Sequence, residues 1–143
     1  MSYQNSKKLF YGYVTPRDIN GMMIPITLQH LTLNDYCTKN KATYKLPVAE
    51  LVSENSFFQF FSLLNSVKNK TNIVMCSFFM LPHHLKDIQN LKKILKKKKI
   101  TIHCVLENLI VSTTPQLDEI TTVKNLVRIV ENNENINLRK FIN

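Results

Sequence analysis

A chain of 143 residues that is 44% hydrophobic and 20% charged, with two glycines and five prolines, is of a size and composition for one globular domain, which excludes disordered and collagen-like chains. No apolar run reaches the roughly 18–20 residues that span a bilayer, and the opening MSYQNSKKLFYGYV has no long apolar segment ahead of a small-residue cleavage site. A cytoplasmic protein without a membrane span is therefore expected. The net charge of +9, from 19 basic against 10 acidic residues, raises a polyanion as a partner.

In chain order the apolar period switches repeatedly. Leu9 to Val14 is a short apolar and aromatic run that predicts a buried strand. Thr15-Pro16-Arg17-Asp18 and Asn20-Gly21 are turn chemistry. Pro25 suits a first helical position, and the segment to Asn40 carries Leu28, Leu31 and Cys37 at helical intervals. Ala42 to Leu46 reads as a second strand. Glu54 to Lys68 predicts a helix, because Phe57, Phe60, Phe61, Leu64 and Val67 form one wide stripe that suits core packing better than a cofactor box. Asn72 to Phe79 is a continuous apolar run expected of a central parallel strand. Pro82 opens a helix to about Lys98 with Leu85, Ile88, Leu91 and Leu95 inward, and Ile100 to Leu106 is a fourth strand. Thr114 caps and Pro115 starts a last helix, with Ile120, Val123, Val127 and Val130 inside.

Strand and helix thus alternate four times, which predicts an α/β fold: a single-domain three-layer sandwich around a four-stranded, mainly parallel sheet. The domain is expected over residues 1–132. A polar tail, 133–143, follows, whose Leu138, Phe141 and Ile142 are available to dock on a neighbouring subunit. Apolar stripes on both sheet faces and this tail lead us to expect a homo-oligomer.

The basic excess is 16 Lys and only three Arg, and six of the lysines fall in one stretch, Lys92, Lys93 and Lys96 to Lys99. At the end of a helix such a run complements the dipole, so a solvated face is preferred over a polyanion site. Cys37, Cys76 and Cys104 have no CxxC spacing, and adjacent His83 and His84 do not share a helix face, so no metal site is expected. GxGxxG and GxxxxGK[ST] are absent, so neither a dinucleotide nor another cofactor is expected.

In an open parallel sheet a ligand sits outside the carboxyl ends of the strands. That rule selects Thr15, Arg17 and Asp18 after the first strand, Glu50 and Glu54 after the second, Ser77 after the third, and Glu107 and Asn108 after the fourth. Arg17 stands out in a lysine-rich chain because a guanidinium fork grips a carboxylate or phosphate in a way an ammonium does not. A salt bridge from Arg17 to Glu50 or Glu107 is the structural alternative. Glu107, directly after an apolar strand, suits proton transfer if partly desolvated. Glu50 and Glu54 are either acid/base residues or partners of a helix dipole. Ser77 lacks the GxSxG elbow.

GYVTPR, GMMIPITLQHLTLNDYC, AELVSEN, SFFMLP and LENLIV resemble the small "sporadic carbohydrate cluster" family, encoded among bacterial genes for surface-polysaccharide and unusual-sugar biosynthesis, over about Gly12 to Ile120. This resemblance implies a process and no mechanism. A second, more distant resemblance is to the catalytic domain of serine recombinases (resolvases), which open with a GYxR-like strand, continue through a Gln-bearing helix and use a doubly wound sheet. It implies a flavodoxin- or resolvase-like fold. The tract after Gly12-Tyr13-Val14 is Thr-Pro-Arg-Asp, which departs from that family in lacking the nucleophilic serine with its arginine partners, and no helix-turn-helix is expected.

The leading expectation is an enzyme or enzyme subunit of bacterial cell-surface carbohydrate biosynthesis acting on an anionic sugar, a sugar phosphate or a nucleotide-sugar. Arg17 would anchor the anion. Glu50, Glu54 or Glu107 would transfer protons, and Tyr13, Gln29, Tyr36 and Ser77 would orient hydroxyls. The alternatives are a non-catalytic binding or scaffold protein of the same pathway and a resolvase-like nucleic-acid binder. In the leading reading nucleic acid is not the expected partner.

Overall fold

Alternation of period-2 and period-3.6 segments builds a single five-stranded sheet with helices on both faces. The computed structural model describes residues 8–53 and 56–142. Its elements are β1 (Leu9–Val14), α1 (Ile26–Lys39), β2 (Thr43–Ala49), α2 (Phe58–Ser66), β3 (Asn72–Met75), α3 (Leu85–Lys98), β4 (Thr101–Cys104), β5 (Leu109–Val111) and α4 (Thr114–Ile142), with a 3-10 turn at Phe78–Met80 between β3 and α3. Strand order is β2-β1-β3-β4-β5. β1, β2, β3 and β4 are parallel, and β5 closes the edge antiparallel to β4. The predicted four-stranded, mainly parallel α/β sandwich is therefore the architecture found, with one short edge strand added. At three residues β5 is too short to show a period in the sequence.

Chain direction explains the layers. The first crossover leaves β1 for β2 on one side, and the later ones return through β3 to β4, so right-handed connections put α1 on one face and α2 and α3 on the other. Side chains of β1 follow this division. Phe10 packs on Tyr36 of α1, whereas Tyr13 packs on Phe60 of α2 with ring centroids 5.0 Å apart. α3 is joined to α4 by a Lys92–Asp118 ion pair, and Lys98 Nζ donates to the carbonyls of Leu64, Asn65 and Val67 at the end of α2. Part of the lysine run thus satisfies orphaned helix carbonyls.

Four local readings need correction. In α1 the buried residues are Gln29, Leu33 and Cys37, while Leu28 and Leu31 are exposed; a polar side chain occupies the inward face, which shifts the apparent stripe by a residue. β3 stops at Met75 rather than Phe79, because Ser77 Oγ accepts the Phe79 N–H and turns the backbone into the 3-10 turn. α3 begins at Leu85, which is exposed, rather than at Pro82. α4 runs through to Ile142, past the expected boundary at 132, with Leu117, Ile120 and Lys124 buried and Val123 and Val130 exposed. Glu54 and the side chains of Leu138, Phe141 and Ile142 lie outside what the structure describes.

The register of β1 against β2 slips between Tyr11 and Tyr13, at Gly12. A Cβ at Gly12 would lie 2.7 Å from the Tyr44 ring and 2.8 Å from Pro47 Cβ. Pro47 is tolerated because β2 is an edge strand, but its ring cannot swing aside as a flexible side chain would. Gly12→Ala is expected to destabilise the fold by about 1–3 kcal/mol, read as a lower urea midpoint with unchanged slope; an unchanged midpoint refutes the close-approach argument.

Candidate functional site

Strand order reverses between β1 and β3, so the loops that follow them part at the carboxyl edge of the sheet and leave a crevice. A cleft of about 450 Å³ occupies this position, walled by Thr15, Arg17 and Asp18 after β1, by Val52 and Phe57 ahead of α2, and by Phe79, Met80 and His83 after β3. The loop after β1 is held by a side chain from α1. Gln29, fully buried, accepts the Thr15 N–H at 3.0 Å and donates to the carbonyls of Thr15 at 2.7 Å and Ile24 at 2.8 Å. Beyond it, Ile19 and Met22 pair through a two-residue turn in which Asn20 and Gly21 have φ of 52° and 78°, the geometry Asn-Gly favours.

Arg17 lies over the Phe57 ring, its guanidinium carbon 4.9 Å from the centroid, and donates through Nη1 to the Ser53 carbonyl at 3.3 Å. Its backbone N–H and Nε reach Thr15 Oγ1 at 3.2 and 3.4 Å. Among the described residues the ion pairs are Lys39–Asp35 and Lys92–Asp118, so Arg17 has no carboxylate partner.

A second cleft of about 290 Å³ adjoins the first, sharing Asp18, Phe79 and His83, and is completed by Lys124, Arg128 and Glu131 of α4. Lys124 is 8% exposed and donates to the Leu81 carbonyl at 2.7 Å. Burial, with Arg128 adding to it, brings its ammonium down to about 8. Burial also lowers the His83 imidazole, and Arg128, His84, Lys124 and Arg17 push the same way. His83 lines both clefts, with Arg17 in the first and Lys124 and Arg128 in the second, so these side chains form an arc of positive charge around it. Asp18 and Glu131 stand in the walls and offset part of it.

Of the residues expected in the crevice, Thr15, Arg17 and Asp18 line it, Glu54 falls outside the described residues, and the others are engaged elsewhere. Glu50, 4% exposed, accepts the Tyr13 hydroxyl at 2.7 Å and the backbone N–H groups of Leu51, Gln59 and Phe60 at 2.9, 3.2 and 3.1 Å. All its acceptor directions are taken by β1, by its own loop and by the first turn of α2. Tyr13 is fully buried and does not line the cleft, its phenol pushed up by burial and by Glu50 and opposed by Arg17. Glu107 accepts the Phe78 N–H, and Ser77 accepts that of Phe79, so both hold the 3-10 turn. Tyr36 is elsewhere: at the amino edge of the sheet its hydroxyl meets His103 Nδ1 at 2.7 Å, and His103 Nε2 meets Asn72 Oδ1 at 2.9 Å. The expected convergence of guanidinium and carboxylates reduces to Arg17 above a Tyr13–Glu50 pair. Sequence reasoning missed His83, Lys124 and Arg128; the scarcity of arginine was a signal for Arg128 as much as for Arg17. Among the described residues no group of three or more His, Cys, Asp and Glu side chains comes together to hold a metal.

No family model and no curated protein matches the sequence. Among solved structures the chain is similar to the N-terminal catalytic domain of TP901-1 integrase, at 16% identity and a TM-score of 0.63 over 87% of this chain and 99% of that one. It is also similar to a resolvase family site-specific recombinase from Streptococcus pneumoniae, at 12% identity and a TM-score of 0.59 over 94% of each chain. At these identities the shared property is the fold, which is resolvase-like. The expectation of a carbohydrate-biosynthesis protein with a sugar, sugar phosphate or nucleotide-sugar ligand is overturned, since the similar structures are recombinase domains and no family match links the chain to sugar chemistry. The accompanying exclusion of nucleic acid falls with it. No described helix is long and apolar enough to cross a membrane.

Two predictions follow from these side chains. Glu50→Ala orphans the Tyr13 hydroxyl and the first N–H groups of α2, and should cost about 2–4 kcal/mol of stability in denaturant unfolding; a cost below 1 kcal/mol would assign Glu50 a role other than this tie. His103 is held at about 4 by burial against an ordinary 6.5, with Lys8 adding. The unfolded chain therefore takes up this proton first, so the contribution is present above pH 6.5 and is lost as pH falls toward 4, by up to roughly 3 kcal/mol. The His103 imidazole resonance should stay neutral to below pH 5 in a folded-state NMR titration, and protonation near 6.5 would contradict the buried hydrogen-bonded ring.

Proposed function

We propose that this chain is a nucleic-acid-binding protein of resolvase-like fold that holds a backbone phosphate in the paired clefts at the carboxyl edge of its sheet. The observation that carries the reading is the arc of Arg17, His83, Lys124 and Arg128, drawn from three separated segments, with Arg17, Lys124 and Arg128 free of any carboxylate partner among the described residues. A guanidinium on each side supplies the planar fork that suits phosphate oxygens, and Lys124 adds charge at neutral pH, below its value of about 8. The net charge of +9 extends this attraction beyond the site. The fold is shared with site-specific recombinases, proteins that act on DNA, which supports the same partner class.

Binding is favoured over strand cleavage by the state of the hydroxyls nearest the arc. Thr15 is 3% exposed and its Oγ1 is engaged by Arg17, while Ser77 is 2% exposed and engaged by Phe79 N–H. Tyr13, Gln29, Glu50, Ser77 and Glu107 then act as positioning residues for the loops that carry the cations.

Fluorescence anisotropy of a labelled DNA fragment, titrated at several salt concentrations, tests this. Wild-type affinity should fall with salt at a log–log slope of about −2 to −3. Arg128→Gln should weaken binding by roughly fivefold to twentyfold regardless of sequence and reduce the slope by about one. An Arg17→Gln/Arg128→Gln double variant that keeps both affinity and slope overturns the proposal.

A further inference from the structure

An open groove of about 770 Å³ lies between α2 and α3, beside the cation clefts. Phe57, Phe58 and Phe61 form its apolar side, and Ser62, Asn65 and Asn90 supply hydroxyl and amide groups along it. Phe58 is 68% exposed, which is unusual for a phenylalanine with a core within reach. On α3, Asp87 and Asn90 face the groove. At 100° per residue the next stripe outward, on the solvent side of Asn90, is Lys86, Lys93 and Lys97. All three are exposed, and none takes part in an ion pair among the described residues. Asp87 lies in the first turn of α3, where it balances the helix dipole.

We propose that this groove seats an unpaired nucleic-acid strand, its bases stacked on Phe58 and Phe61 and its phosphates along the lysine stripe. This rests on the nucleic-acid reading above and names the form of the ligand. Three arguments favour it. Exposed aromatic rings beside unpaired cations are the two parts that bind single strands without sequence preference, whereas a duplex keeps its base faces stacked and has none to offer. Hydroxyl and amide side chains along the groove suit base edges, and an amphipathic protein helix would instead require a continuous apolar floor. The groove also adjoins the cation cleft, because Phe57 borders both and carries Arg17 over its ring. A strand can therefore run from the Arg17 guanidinium across the start of α2 to α3 with a cation at each end of the path.

The test compares fluorescein-labelled oligothymidylate with a labelled duplex of equal length, using the full chain. Wild-type protein should prefer the single strand. Phe58→Ala should weaken single-strand binding by roughly tenfold and leave duplex affinity, set by the clefts, within twofold. Lys93→Ser combined with Lys97→Ser should lower the salt slope for the single strand by about one to two. Because these side chains are exposed, unchanged thermal unfolding verifies the fold of each variant. Equal affinity for the two probes, or single-strand binding indifferent to Phe58→Ala, overturns this inference alone and leaves the groove to a protein partner. Binding of neither probe overturns the nucleic-acid reading and this inference together.

Discussion

One buried carboxylate organises the carboxyl edge of this sheet. Glu50 gathers a hydroxyl from β1, an N–H from its own loop and two N–H groups from the first turn of α2. An ionised group removed from water must be compensated by such donors, and each donor it recruits is a piece of backbone held in place. Fixing the start of α2 fixes Phe57, and Phe57 is the surface on which the Arg17 guanidinium lies. Gln29 does the corresponding work for the loop after β1 from the opposite face of the sheet. The cation site therefore rests on two buried polar side chains that never reach it.

This arrangement explains which parts of the molecule were legible in the sequence. The α/β alternation was, because apolar runs of differing period are long enough in β1, α2 and α3 to declare themselves. The Asn20-Gly21 turn was legible for the same local reason, since positive φ selects those residues. α1 misled because its innermost residue is Gln29, and a search for apolar stripes rotates the helix away from it. α4 misled in the same way at Lys124, a lysine on the inward face whose stem is buried and whose head finds the Leu81 carbonyl.

The candidate site was legible only by residue type. Arg17 was identified as an anion anchor from its rarity, yet the same scarcity applied to Arg128, 111 positions further along by subtraction of the two numbers. Nothing in local patterning announces that a residue on the fourth turn of α4 will stand beside the loops after β1 and β3. That proximity comes from the crossover geometry and from the 3-10 turn that brings His83 around. Glu50 and Glu107 were misassigned for a related reason. A carboxylate at the end of a strand looks alike from the sequence whether it faces substrate or the N–H groups of the next element, and here both turn to the N–H groups.

The consequence for chemistry is electrostatic. Because Glu50 and Glu107 are turned onto the backbone, the charged side chains that line the clefts among the described residues are Arg17, Arg128 and Lys124 against Asp18 and Glu131. Burial is the main reason His83 and Lys124 are both held below their ordinary values, and the neighbouring cations push the same way. An arriving anion opposes the repulsion among the cations and favours the charged forms of Lys124 and His83. Mutual repulsion among cations is relieved by an anion, which is how this lining fits the phosphate proposed above without a reacting nucleophile.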